Sequence, residues 1–170
     1  MIASVARPPS AGRAAMNLAI RRAQIASASQ QHVLASAVPA LLSAAALSAP
    51  LLAATGYSLA AFAILQFFSV VCHQDPARSF WIAGAPVAVC ARCLGIYLGA
   101  VAGAAVSVSR HTAVRFLAAA VVLNLVEYFG ESAGAHGNWP LMRLLLGGML
   151  GATLGALVAA STPRSSPAGP

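Results

Sequence analysis

The 170-residue sequence has few charged residues and no lysine. Only 8% of its residues are charged, against about 25% in an average soluble domain. The hydrophobic share is 59% and the mean hydropathy is +0.80, which excludes an ordinary soluble domain and predicts a membrane protein. The ten basic residues are all arginines scattered along the chain, so the contiguous basic face of a nucleic-acid-binding protein is lacking too.

Familiar catalytic motifs are also missing from the sequence. It contains no His-Glu-x-x-His pair, no phosphate-binding glycine loop and no Gly-x-Ser-x-Gly nucleophile turn. The sequence therefore leaves open whether the protein is an enzyme.

Apolar runs make up most of the chain. Four of five such segments are long enough to cross a hydrocarbon core of about 30 Å. The second corresponds to about 25 Å of helix, the lower limit for a crossing. We therefore predict an all-α, polytopic helical membrane bundle with four firm spans and one short or re-entrant segment. The segments are residues 33–55, 57–73, 87–109, 112–130 and 141–161.

The two tails differ in composition from the apolar middle. Residues 1–31 contain four arginines with several polar residues, and residues 161–170 contain three prolines. We predict a mobile N-terminal extension at 1–31, a single membrane-embedded domain at 32–160 and a disordered tail at 161–170.

The arginines also indicate an orientation. With five spans and the N-terminus inside, seven of them fall on or near the cytoplasmic face, and Arg110, Arg115 and Arg164 lie outside. The sequence thus predicts a multi-pass protein of the inner membrane, with its N-terminus and its cysteine loop at the cytoplasmic side.

All three cysteines flank one short polar loop. Cys72 and His73 end the second segment, and Cys90 and Cys93 form a C-x-x-C pair in the third. Three thiols and an imidazole are a ligand set for tetrahedral zinc, so we predict a metal site made by these four residues, with zinc as the candidate cofactor. A redox dithiol and inert buried cysteines are the alternatives. A regular helix would not bring both Cys72 and His73 to one ion.

Other polar residues are expected at the same membrane face, because alternating spans bring the joined ends together. Charges near a bilayer are costly, so such a cluster predicts a functional site. We expect Glu127 to pair with Arg143, either to fix the helix register or to serve binding or proton handling. Glu131 lies on the same stripe of its helix as Glu127. The predicted polar vestibule comprises Asp75, Arg78, Arg92, Asn124, Glu127, Tyr128 and Arg143.

Two glycine ladders run along the third and fifth segments. Glycine at every fourth position lets helix backbones approach closely in lipid. The ladders predict tight helix packing and a homo-oligomer formed through them. They consist of Gly95, Gly99 and Gly103, and of Gly147, Gly151 and Gly155.

The same region resembles the small prokaryotic membrane proteins grouped as domain of unknown function 2085. The resemblance covers about residues 57–160 and implies an integral membrane protein, but it supplies no catalytic residue. It rests on three strings: Cys72-His73-Gln74-x-Pro76-x-Arg78-Ser79-Phe80, Cys90-x-Arg92-Cys93-x-Gly95-Ile96-Tyr97-x-Gly99 and Asn124-x-x-Glu127-Tyr128.

Two functions from different classes fit these patterns. The first is a metal-binding protein of the lipid bilayer with the Cys/His ligands. The second is a binding or transport protein in which Arg78, Arg92 and Arg143 hold an anionic lipid or small metabolite and the C-x-x-C pair senses redox state. Elemental analysis of the purified protein separates the two.

Overall fold

The computed structural model describes residues 11–106 and 108–161, and the fold in these ranges is all-α. A 3-10 turn at Pro76–Arg78 and a hairpin of two short strands lie between the second and third helices. The all-α prediction is therefore confirmed. The elements are α1 (Ala11–Ala54), α2 (Ser58–Ser69), β1 (Trp81–Ile82), β2 (Ala85–Pro86), α3 (Ala91–Ala104), α4 (Arg110–Ser132) and α5 (Pro140–Ala160).

Each predicted apolar segment contains one helix, but two of the helices are short. The stretch Ala35–Ala54 of α1, together with α4 and α5, is long and apolar enough to cross a membrane. Helix α2 has 12 residues and α3 has 14. Within the predicted segment 87–109 the helix covers Ala91–Ala104 and is shorter than expected, because Cys90 has an extended backbone as its N-cap.

Helix α1 continues through two prolines, Pro39 and Pro50. Since proline has no N–H, Pro50 leaves the carbonyl of Ala46 without its usual donor four residues later. The N–H of Ala88, in the chain that enters α3, donates to that carbonyl at 3.3 Å. Pro50 thus provides an acceptor that attaches the loop before α3 to the middle of α1.

The N-terminal part of α1 overlaps the predicted mobile extension. Residues 11–31 are helical, whereas residues 1–10 lie outside the described residues, as do residues 162–170 of the tail. The mobility of the extension and the disorder of the tail therefore stay predictions.

The two glycine ladders face each other. The helices α3 and α5 run parallel, because the α5 neighbours advance from Leu144 beside Gly95 to Ala152 beside Gly103. A Cβ on any of the six ladder glycines would lie within 3.0 Å of the facing backbone. The predicted tight packing is confirmed. Because the ladders are used within one chain, they are not available for the predicted homo-oligomer.

Helix α1 runs antiparallel to α3. Val33 of α1 lines a small cavity with Val101 and Ala105 at the end of α3, whereas Ala46 bonds to the chain just before α3. Val33 of α1 and the cysteine loop therefore lie at opposite ends of α3. The prediction that the N-terminus and the cysteine loop share the cytoplasmic face stays a prediction; it depends on residues 57–73 crossing the membrane, and α2 has 12 residues.

A small core lies where α1, α2 and the loop before α3 meet. Ala46, Phe68 and Val89 are fully buried there, and Cys72 belongs to the same cluster with 7% exposure. The cysteines therefore belong to, or pack against, a buried hydrophobic cluster at this end of the bundle.

Candidate metal centre

The loop between α2 and α3 carries the three cysteines. Gln74 closes this loop, because its Nε2 donates to the carbonyls of Leu65 and Ala88, each at 2.8 Å. Its backbone is in the left-handed region with φ +51°, so the chain reverses sharply at this point. The side chain of Gln74 thus holds the end of α2 next to the start of α3.

The three sulfur atoms meet at this closure. The Sγ atoms of Cys72, Cys90 and Cys93 all lie within 4.8 Å of one another. In a tetrahedral zinc site with Zn–S bonds of about 2.3 Å, sulfurs are roughly 3.8 Å apart. Small rotations of the side chains would therefore bring all three thiols to one ion.

The start of α3 favours negative charge on these sulfurs. The N–H of Cys90, the N-cap residue, donates to Sγ of Cys72 at 3.2 Å. Helix N-termini stabilise anions, and the thiolate is the form that binds metal. The protein backbone thus supports the thiolate form of Cys72.

His73 does not join the sulfurs. Its side chain is exposed, and it is not part of the cysteine group that the structure brings together. The chain has left α2 at this point, so neighbouring side chains point in different directions. The prediction of His73 as the fourth ligand is therefore not supported by its position.

The charged residues form a chain of ion pairs beside the sulfurs. Arg143 lies 3.2 Å from Glu127 through Nε and Oε1, which confirms the predicted pair. Arg92 pairs with the other oxygen of Glu127, and Arg143 also pairs with Glu131. Glu127 and Arg143 are buried, with 4% and 3% exposure. These buried ion pairs connect α3, α4 and α5 inside the bundle.

The ion-pair chain continues outward to the loop. Arg78 lies 3.3 Å from Glu131 and 3.4 Å from Asp75. Both Asp75 and Arg78 are partly exposed. Three arginines and all three acidic residues of the sequence are thus joined in one neutral series.

Two predicted vestibule residues stay outside the ion-pair chain. Asn124 donates through Nδ2 to the carbonyls of Ala120 and Leu146, so it links α4 to α5. Tyr128 is 46% exposed and packs edge-on against Phe129. Asn124 therefore stabilises the helix pair, and Tyr128 faces the surroundings of the bundle.

Two residues matter more in the structure than in the predicted site. Glu131 links Arg78 to Arg143, and its position four residues after Glu127 was a usable signal. Gln74 had only one signal, its place directly after Cys72-His73 in the family string. Its two bonds depend on residues 9 before and 14 after it in sequence, which no local pattern reveals.

Comparisons with known proteins agree with this location. The family model described as "Predicted membrane protein (DUF2085)" matches residues 72–157, a range that contains all three cysteines and the ion-pair chain. The uncharacterized protein MJ1492 of Methanocaldococcus jannaschii is 58% identical over 36 residues. That match spans 21% of this chain and 23% of MJ1492. No solved structure matches the chain significantly.

Proposed function

Since the chain belongs to the DUF2085 family of predicted membrane proteins, we propose that it binds a thiophilic metal ion at the membrane, with zinc as the first candidate. The ligands are the thiolates of Cys72, Cys90 and Cys93. The observation that carries the proposal is the convergence of these three sulfurs within 4.8 Å. Thiolates select zinc, copper(I) or iron–sulfur centres over hard cations.

The ligand set favours an exchangeable ion over a purely structural one. In the described part of the chain, no histidine, aspartate or glutamate joins the three cysteines. Structural zinc sites are closed by four protein ligands, whereas sites that act on a substrate keep one position open. Three thiolates therefore fit a protein that takes up and releases its ion, or that presents it to a small ligand.

The surrounding charges support a cation over an anion as the ligand. Three thiolates around Zn²⁺ carry a net charge of minus one. Cys90 lies near enough to Arg143 to interact electrostatically. Arg78, Arg92 and Arg143 are each paired with carboxylates, so the alternative site for an anionic lipid or metabolite has no uncompensated arginine among them.

Elemental analysis of the protein purified in detergent tests the proposal. We expect about one zinc ion per chain in the wild type and only a trace in the Cys90→Ser/Cys93→Ser double variant, because one thiol does not hold zinc alone. His73→Ala is the matched control and should keep its metal, since His73 lies outside the sulfur group.

Equal trace metal in all three proteins would overturn the proposal. Loss of metal in His73→Ala alone would contradict the ligand set and restore His73 as a ligand. A disulfide found by mass spectrometry in metal-free wild type would instead favour the redox-sensing alternative.

A further inference from the structure

The chain between α1 and α4 consists of two short helices with a polar break. Helices α2 and α3 correspond to about 18 Å and 21 Å of length, so neither crosses a core of about 30 Å alone. Helix α2 starts directly after α1 ends, since the N–H of Tyr57 donates to the carbonyl of Leu52. It then returns along α1, and Cys72 reaches the core cluster that contains Ala46. Ala46 lies about 12 Å below the end of α1.

Helix α3 covers the remaining depth of the bundle. It starts beside Ala46 and ends near Val33 of α1. Residues 87–89 enter it in non-helical conformation, yet they are at most 2% exposed. Irregular backbone at membrane depth is tolerated only where protein or water surrounds it. Helices α2 and α3 therefore together make one crossing of the membrane, each covering part of its depth.

One end of the bundle is marked by the cysteine loop. Arg78 of this loop pairs with Glu131 near the end of α4, and Asn138 before α5 donates to the carbonyl of Ala77. Trp81 and Trp139 are about 60% exposed at this end, and tryptophan is enriched at membrane interfaces. The loop thus extends from the three sulfurs to the membrane interface at this end of the bundle and then leads back to the start of α3.

The arginines lie mainly at the opposite end. Arg110 and Arg115 begin α4, Arg164 follows α5 in the sequence, and Arg21 and Arg22 precede the apolar part of α1. At the cysteine end lie Arg78, Arg92 and Arg143, and each of them is paired with acidic residues. Loops rich in arginine stay in the cytoplasm, so the cysteine end is the outer one.

We propose that the chain crosses the membrane four times, with α2 and α3 as one interrupted crossing, and that the three-thiol site opens toward the extracytoplasmic side. Both ends of the chain then lie in the cytoplasm. This inference deepens the proposed function and rests on it in one respect: the metal ion that the thiols bind is taken from outside. Interrupted helices with a binding site at the break are a recurrent arrangement in transporters.

Terminal fusions test the number of crossings on the full chain. Green fluorescent protein, which fluoresces when made in the cytoplasm, should be bright at either terminus. Alkaline phosphatase, which needs export to become active, should be inactive after residue 170. Active phosphatase at that position with a bright N-terminal fusion would establish an odd number of crossings and overturn the inference. Export of both termini would reverse the orientation and overturn it as well.

Thiol labelling tests which face the site opens to. Ala83→Cys places a thiol at the exposed tip of the hairpin, and Ala105→Cys places one after α3, also exposed. Each is made with the native cysteines changed to serine and must label fully in detergent. In spheroplasts, an impermeant maleimide should label Ala83→Cys and spare Ala105→Cys. The reverse pattern, or equal labelling, would overturn the inference.

These measurements are independent of metal content. Trace metal in the wild type would remove the proposed function while leaving four crossings intact. An odd number of crossings with bound zinc would overturn the topology and leave the proposed function intact. If the cysteine-free protein fails to insert, the terminal fusions, which keep the native cysteines, still decide the topology.

Discussion

Glu127 compensates the charges of two arginines inside the bundle. It is 4% exposed and pairs with both Arg92 and Arg143. A carboxylate buried near lipid would be very unfavourable without such partners. Removing it would leave the buried guanidinium of Arg143 with only Glu131 to compensate it.

We therefore predict that Glu127→Gln lowers the free energy of unfolding by about 3–5 kcal/mol, the usual cost of breaking a buried ion pair. Thermal unfolding in detergent measures the change. Asp75→Asn is the control: its carboxylate is 35% exposed, and exposed pairs contribute about 0–1 kcal/mol. An equal decrease in the free energy of unfolding for the two variants would show that the buried ion pair contributes no more to stability than the exposed one.

Single residues were predictable to different degrees. The pairing of Glu127 with Arg143 followed from the sequence, because a buried carboxylate needs a cation and the next helix supplies one. The position of the His73 side chain could not be predicted from the sequence, since it depends on where α2 ends. Sequence proximity to Cys72 suggested a shared ion, but the local backbone separates the two side chains.

At the scale of elements, α3 and α5 pack closely because the glycines in their contact have no side chains. The backbone of each helix fills the groove made by glycines of the other. In lipid, such close approach replaces the hydrophobic effect as the source of helix association.

We predict that Gly99→Ala destabilises the protein by about 1–3 kcal/mol, as overpacking does in other well-packed interiors. Its Cβ would lie within 3.0 Å of the α5 backbone, so the helices must separate. Gly148→Ala is the matched control in the same helix pair, because its Cβ would meet its nearest neighbour at 3.8 Å, an ordinary contact. The midpoint of thermal unfolding compares them, and an equal decrease would contradict the packing argument.

Element positions were largely predictable, and element lengths were not. Each of the five predicted apolar segments contains helix, because hydropathy follows burial in lipid or protein, but α1 begins at Ala11, well before its segment at 33–55. Residues 87–90 are apolar, yet they are not helical. The reason is tertiary: Ala88 bonds to the carbonyl that Pro50 leaves free on α1, and β2 pairs with β1.

For the whole molecule, the proposed metal site joins parts that are far apart along the chain. Cys72 is attached to the end of α2, and Cys90 and Cys93 belong to the start of α3. An ion bound by all three would connect the two halves of the interrupted crossing. A ligand that binds only the folded state stabilises it by mass action.

Zinc at 100 times its dissociation constant should therefore stabilise the wild type by about 2.7 kcal/mol. We predict a rise in Tm with zinc for the wild type in detergent and none for Cys90→Ser/Cys93→Ser. Magnesium, which prefers oxygen ligands, should leave both unchanged. The same rise with zinc in both proteins would place the stabilising ion elsewhere.

The sequence by itself determined that this is a helical membrane protein, where its apolar segments lie and which loop its three cysteines flank. Composition and local pattern carry that information, because each residue contributes to hydropathy independently of the fold. The tertiary structure decided three things: the short α3, the convergence of the three thiols, and the pairing of the glycine ladders within one chain. Each depends on contacts between distant segments, such as Gln74 with Leu65 and Ala88, and no local pattern specifies those contacts.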